Sequence, residues 1–156
     1  MKEIGLAYDR IRWEEKALIK ASKKANLNLK LVDCKKVCID LGKEDKIKET
    51  FGNLVLQRCI SHYRGLHITS ILESVGLEVI NKFQVSLICG DKLLTTLALI
   101  KQGIPVPKTA IAFHPETALE AIKVVGYPAV MKPVIGSWGR LVSLVKDEET
   151  ARSLIE

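Results

Sequence analysis

Apolar and polar positions along the chain follow two periods, one of strands and one of helices. Residues 3–8 form a short apolar run of strand length. Trp13, Ala17, Ala21 and Ala25 then recur every fourth residue, the spacing of one helix face. A second strand is expected over 29–34, followed by an irregular lysine-rich segment through Thr50, and a third over 54–59. Ile68, Ile71, Leu72 and Val75 fall at i, i+3, i+4 and i+7, with Gly76 placed to close that helix. A short fourth strand is expected over 78–80. Strands alternating with helices predict a parallel sheet with both faces covered.

A second part begins near Gly90. Asp91 is suited to cap a helix whose stripe is Leu93, Leu97 and Ile100, stopped by Gly103 and Pro105. A strand is expected over 108–113. Pro115 then opens a helix with Ala118, Ala121, Ile122 and Val125 inward, ended by Gly126 and Pro128. Strands over 129–132 and 141–145 flank a glycine loop, and a helix capped by Asp147 follows. The fold class is therefore α/β, divided near residue 88.

Composition narrows the function classes. The 156 residues are 47% hydrophobic, enough for a real core, and no apolar run is long enough to span a bilayer. The lysine- and glutamate-rich start does not read as a signal peptide, so a cytoplasmic location is expected. Cys34, Cys38, Cys59 and Cys89 include no C-x-x-C pair, and His62, His67 and His114 are not arranged with them at zinc-ligand spacing. Reduced, mostly buried thiols are expected. His62 and His67 read as helix-surface residues. The formal charge of +6 is uneven: residues 1–88 carry 16 basic and 11 acidic side chains, residues 89–156 carry 8 and 7. Such a basic face suits nucleic acid, an acidic protein or solubility alone. At 5% aromatic, with no aromatics interleaved among basic residues, the chain lacks the stacking platform that single-stranded nucleic acid requires.

The chemistry concentrates in Lys132-Pro-Val-Ile-Gly136-Ser137-Trp138-Gly139-Arg140. A lysine ends a strand-like run, and an ammonium taken out of water needs a partner. Gly136 and Gly139 allow successive N–H groups to turn inward on phosphate oxygens. Ser137 adds a hydroxyl and Arg140 a planar cationic fork. An ordinary hairpin with Lys132 in solvent accounts for the same pattern, and the spacing is neither a Walker loop nor a Rossmann fingerprint. At the carboxyl ends of the first and third strands, where open α/β sheets bind ligands, stand Tyr8, Asp9 and Arg10, then Arg58, Ser61 and Arg64. The arginines suit bidentate clamping of carboxylates, and surface salt bridges suit them equally. Cys59 reads as core packing.

Several separate segments, in register, resemble the ATP-grasp ligases of the RimK/LysX group. They are Cys89-Gly-Asp-Lys92, Gly103-Ile-Pro-Val-Pro107, Val130-Met-Lys-Pro133 and Gly136-Ser-Trp-Gly-Arg140. Tyr8-Asp-Arg-Ile-Arg12, Arg58-Cys-Ile-Ser61 and Arg64-Gly65 resemble the branch of lysine biosynthesis that joins α-aminoadipate to the amino-group carrier protein LysW. The resemblance implies a pre-ATP-grasp domain over 1–88 and the start of an ATP-grasp nucleotide-binding lobe, truncated, over 89–156.

It further implies an ATP-dependent ligase that activates a carboxylate as an acyl phosphate for attack by an amine. Lys92 and Lys132 would hold the α- and β-phosphates from two sides. The loop from Gly136 through Ser137, Trp138 and Gly139 to Arg140 would close over them and exclude water. Trp138 suits a lid at the loop tip and equally a subunit contact. Asp9, Arg10, Arg58, Ser61 and Arg64 are the candidates for the amino acid or carrier. The implied partners are acidic LysW and further copies of the chain.

The family's adenine hinge and its Asp, Glu and Asn ligands for Mg2+ have no counterpart in these residues. Asp147, Glu148 and Glu149 read instead as a helix N-terminus. No catalytic residue is assigned, and the chain alone is expected to bind ATP weakly and to turn nothing over. Alternatives are a glutamate ligase of the RimK type and a non-catalytic carrier-docking module. A dinucleotide-binding domain ranks behind both, since no glycine fingerprint follows the first strand.

Overall fold

The computed structural model describes residues 3–136 and 138–155. Its contacts divide the chain into two compact units, Met1–Leu87 and Ile88–Glu156.

The first unit is a four-stranded parallel sheet in the order β2-β1-β3-β4, built from β1 (Ile4–Tyr8), β2 (Leu29–Asp33), β3 (Leu54–Gln57) and β4 (Glu78–Ile80). Helix α1 (Trp13–Lys24) links β1 to β2, α2 (Glu44–Phe51) links β2 to β3, and α3 (His62–Ser74) links β3 to β4. Successive strand residues face opposite sides. Ala7, Val32, Val55 and Val79 therefore share one face, buried against Ile47 and Phe51 of α2 and Ile68 and Leu72 of α3. A Cβ added to Gly5 would strike the Phe51 carbonyl, so only glycine lets the end of α2 lie directly on β1. Gly76, at φ +78°, turns the chain out of α3 as its position predicts.

The opposite face is covered only in part. Leu6 is fully buried there, while Leu31 is 44% and Ile80 47% exposed. Helix α1 turns Glu15 and Ser22 inward. The expected stripe is not the buried one: Trp13 is 79% exposed, and Ala17 and Ala21 are exposed. Three of those four residues are alanines or border lysines, and small side chains remove too little apolar area to fix a helix's orientation. A buried ion pair fixes it instead. Helix α2 falls inside the segment expected to be irregular, because Ile47 and Phe51 are its only buried residues.

The second unit holds α5 (Lys92–Lys101), α6 (Pro115–Val125), α7 (Glu148–Ile155) and an antiparallel pair, β5 (Ala129–Met131) with β6 (Ser143–Val145); α4 (Phe83–Gly90) runs up to it. Asp91 and Asp147 cap α5 and α7, accepting from the Leu94 and Thr150 amides at 2.9 and 2.8 Å. The core is small: Ile122, Ala129, Val145 and Ala151, with Leu119, Val125, Met131 and Ile155 against it. Residues 108–113, expected as a strand, form none. A strand exists through its ladder, and that segment pairs with no neighbour among the described residues. No helix of the described residues is long and apolar enough to cross a membrane.

Candidate functional site

The candidate residues fall into two sets, one in each unit. In the first unit they stand at the carboxyl edge of the sheet. Asp9 follows β1 and is 6% exposed. Its carboxylate accepts from the Ile60 and Ser61 amides at 2.9 and 3.1 Å and from Arg64 Nη1 at 2.6 Å. Burial alone would raise its pKa; the two amides and the guanidinium outweigh that and hold it below the ordinary carboxylate range. Ser61 caps α3 by accepting from the Arg64 amide. Asp9, Ser61 and Arg64 thus form one knot, which fixes the turn between β3 and α3.

Arg58 is turned to the other face. Its Nε donates to Glu15 Oε1 at 3.1 Å, and Glu15 also receives the Arg12 backbone amide at 2.9 Å and the Arg12 side chain at 3.1 and 3.2 Å. Glu15 is fully buried. Desolvation opposes its charge, but Arg12 prevails and lowers its pKa from 4.5 to about 2. Sequence reasoning passed over Glu15. The available signal was its position three residues after Arg12, the spacing of a helix-capping glutamate. The sheet therefore separates Arg58 from the Asp9–Arg64 knot. Each arginine commits one nitrogen to an internal carboxylate, and its other N–H groups have no protein partner among the described residues. Arg10 is exposed.

Beside Arg58, an open groove of about 550 Å³ runs between α1 and strands β3 and β4, lined by Trp13, Ala17, Ala21, Leu56 and Ile80. The half-covered sheet face is its floor.

In the second unit the fold brings Lys92 to the glycine loop across more than forty residues of sequence. Lys92 is the first residue of α5. Its amide donates to the Val134 carbonyl at 3.0 Å, and its Nζ donates to the Gly136 carbonyl at 2.8 Å. Asp91 forms an isolated bridge with Ile135. Lys132 follows β5 and is exposed, so the ammonium is not desolvated, and β5 and β6 do form a hairpin. The loop between them carries positive φ at Gly136, Trp138, Gly139 and Leu141, a run that leaves Trp138 77% exposed. Arg140 is exposed, and Ser137 lies outside the described residues. Three cations and a loop in left-handed conformations fit polyphosphate chemistry. Among the described residues no three or more His, Cys, Asp or Glu side chains stand together as a metal site.

Residues 4–88 match the family model of the LysX preATP-grasp domain, and residues 89–156 that of the RimK-like ATP-grasp domain. The chain belongs to the LysX/RimK group of the ATP-grasp family. It is 39% identical to the α-aminoadipate–LysW ligase LysX of Sulfurisphaera tokodaii, over 98% of this chain and 54% of that protein. It is 37% identical to the glutamate–LysW ligase ArgX of Sulfolobus acidocaldarius, over 98% and 53%. This LysX/RimK-type chain spans about half the length of the curated relatives it matches. A solved RimK-domain ATP-grasp protein from Sphaerobacter thermophilus shares the fold with TM-score 0.76 and 26% identity, over 98% of this chain and 57% of that one. An ADP complex of the purK N5-carboxyaminoimidazole ribonucleotide synthetase shares the fold with TM-score 0.76, at 18% identity, over 99% and 44%.

Proposed function

We propose that this chain supplies the amino-acid or carrier face and part of the phosphate face of an ATP-dependent carboxylate–amine ligase. The ligase joins α-aminoadipate to LysW. The observation that carries the nucleotide half of this reading is the approach of Lys92 to the 134–136 carbonyls. It holds the root of the glycine loop at the N-terminus of α5, where the positive end of the helix dipole favours an anion. Lys132 and Arg140 then approach the phosphates from the hairpin side, and Trp138 covers them from the loop tip. When bound, ATP supplies the phosphoryl group that activates the carboxylate. The chain's own residues position it and neutralise charge, the two demands that dominate phosphoryl transfer. Magnesium ligands are assigned to no residue of this chain.

In the first unit, Arg58 on one face of the sheet and Arg64 on the other, steadied by Glu15 and Asp9, each keep N–H groups able to receive a carboxylate, and the exposed Arg10 is a third candidate. LysW as carrier is supported by both the LysX and ArgX relatives, whose names share it. The amino acid rests on the LysX domain match. The 37% identity to ArgX supports glutamate as the second reading.

The test is a competition assay on a protein extended to the full length of the relatives, with ATP, LysW and equal α-aminoadipate and glutamate. Intact mass of LysW reads the product. Conjugation of α-aminoadipate in excess is expected, with loss of at least about 100-fold in Lys132→Ala. Equal conjugation of both would sink the choice of amino acid. ATP-independent or absent conjugation would sink the ligase reading.

A further inference from the structure

The groove beside Arg58 follows from the sheet register. Leu31, Leu6, Leu56 and Ile80 are paired in one row across the four strands, on the face that α1 covers in part. Leu6, inside the row, is fully buried, while Ile80 at its β4 end is 47% exposed. Arg58 stands two residues beyond Leu56, so its side chain leaves the sheet on the same face. There its Nε is held by the buried Glu15 at 3.1 Å. Helix α1 supplies the opposite wall through Trp13, Ala17 and Ala21, at i, i+4 and i+8. All three are exposed, and the two alanines leave room where larger side chains would fill it.

Width and charge decide what fits. Adjacent strands lie about 4.8 Å apart, so β3 and β4 together offer about 10 Å, the diameter of one helix. Parallel sheets bury both faces under helices, and a floor of Leu56 and Ile80 accepts the apolar stripe of one. The walls favour negative charge. Lys20 and Lys24 follow Trp13 at i+7 and i+11, hence on its side of α1. Both are exposed and in no ion pair among the described residues. At the carboxyl end, Arg58 keeps N–H groups with no protein partner among the described residues. Glu14 also lines the groove, but Arg12 Nε holds it at 3.6 Å.

We propose that this groove docks an acidic amphipathic helix of a partner protein. The helix lays its apolar stripe on Leu56 and Ile80, against Trp13, and turns its carboxylates to Arg58 and to Lys20 and Lys24. A second copy of this chain fits poorly, because a two-fold contact through this face would set Lys20 and Lys24 against the same lysines of its mate. A bilayer is flat and cannot follow the floor between α1 and β4. Arg58 then serves a protein partner, and a small carboxylate falls to Arg64 across the sheet. That division stands whatever reaction the chain takes part in.

The probe is a labelled synthetic helix with leucine at i, i+3, i+4 and i+7 and glutamate on both flanks, titrated with the chain in fluorescence anisotropy. No ATP is present, so failure here leaves the conjugation assay untouched. Saturable binding is expected, weakened at least about tenfold when lysine replaces each glutamate or serine each leucine. Two variants on exposed positions, checked by circular dichroism, should lose as much: Lys20→Glu with Lys24→Glu, and Ala17→Gln with Ala21→Gln, which fills the groove. Trp13 and Trp138 are the two tryptophans, so in Trp138→Phe a blue shift on binding reports Trp13 alone. Absence of binding, or affinity that survives the glutamine variant or the serine peptide, would overturn the site. Self-association lost in the glutamine variant would assign the face to a second copy. Equal capture of the parent and that variant by phosphatidylserine vesicles, without peptide binding, would assign the lysines to a membrane; either result overturns the proposal.

Discussion

At the scale of single residues, buried charge organises the first unit more than apolar pattern does. Glu15 sits in α1 with no exposed surface, bound to Arg12 and Arg58. Removing one member of a buried pair strands the other, so Glu15→Ala is expected to cost about 3–5 kcal/mol in urea unfolding at pH 7. The same group sets an acid limit. Its pKa is lowered on folding from 4.5 to about 2, so its contribution is complete above pH 4.5 and lost as pH falls toward 2. Urea midpoints measured across that range should fall steeply in the parent chain and more gently in Glu15→Gln. Asp9 acts in the same direction. Arg58 and Arg64 were legible in the sequence as edge arginines; their carboxylate partners were not. Glu15 and Asp9 lie 43 and 55 residues from them, and only the sheet's register brings them together.

Among the elements, those whose apolar residues are large were legible, and those built on small or few apolar residues were not. Strands β1, β3 and β4 and helices α3, α5 and α6 stand close to where the pattern places them, and their caps at Ser61, Asp91 and Gly126 are ordinary helix-end chemistry. Helix α2 was hidden by its lysines. Helix α1 was found with the wrong face inward, since Trp13 dominated a stripe otherwise made of alanine. Trp13→Ala should accordingly change the unfolding free energy by no more than about 0.5 kcal/mol, whereas a buried tryptophan would lose about 3–5 kcal/mol. Gly5→Ala tests the packing of α2 on β1. The clash with the Phe51 carbonyl predicts a loss above about 2 kcal/mol, read in the same denaturation experiment, with α2 amides exchanging faster. Residues 108–113 show the complementary limit: alternation alone makes no strand when no neighbour offers a ladder.

At the scale of the whole molecule, the family was legible because several short segments keep their order and spacing, and no single one of them suffices. The proposed substrate edge and the proposed phosphate face lie in different units, each with its own core. Their roles can therefore be separated by substitution: Arg64→Ala should leave nucleotide binding unchanged, and Lys92→Ala should leave the acid limit set by Glu15 unchanged. The central claim is that Lys92, Lys132 and the loop from Gly136 to Arg140 receive a polyphosphate. Hydrogen exchange of this chain with and without millimolar MgATP tests it most directly. Slowed exchange confined to the start of α5 and residues 133–141, and abolished by Lys92→Ala with Lys132→Ala, is the predicted result. Exchange in those segments that is indifferent to nucleotide, or equally slowed in the double variant, would contradict the account.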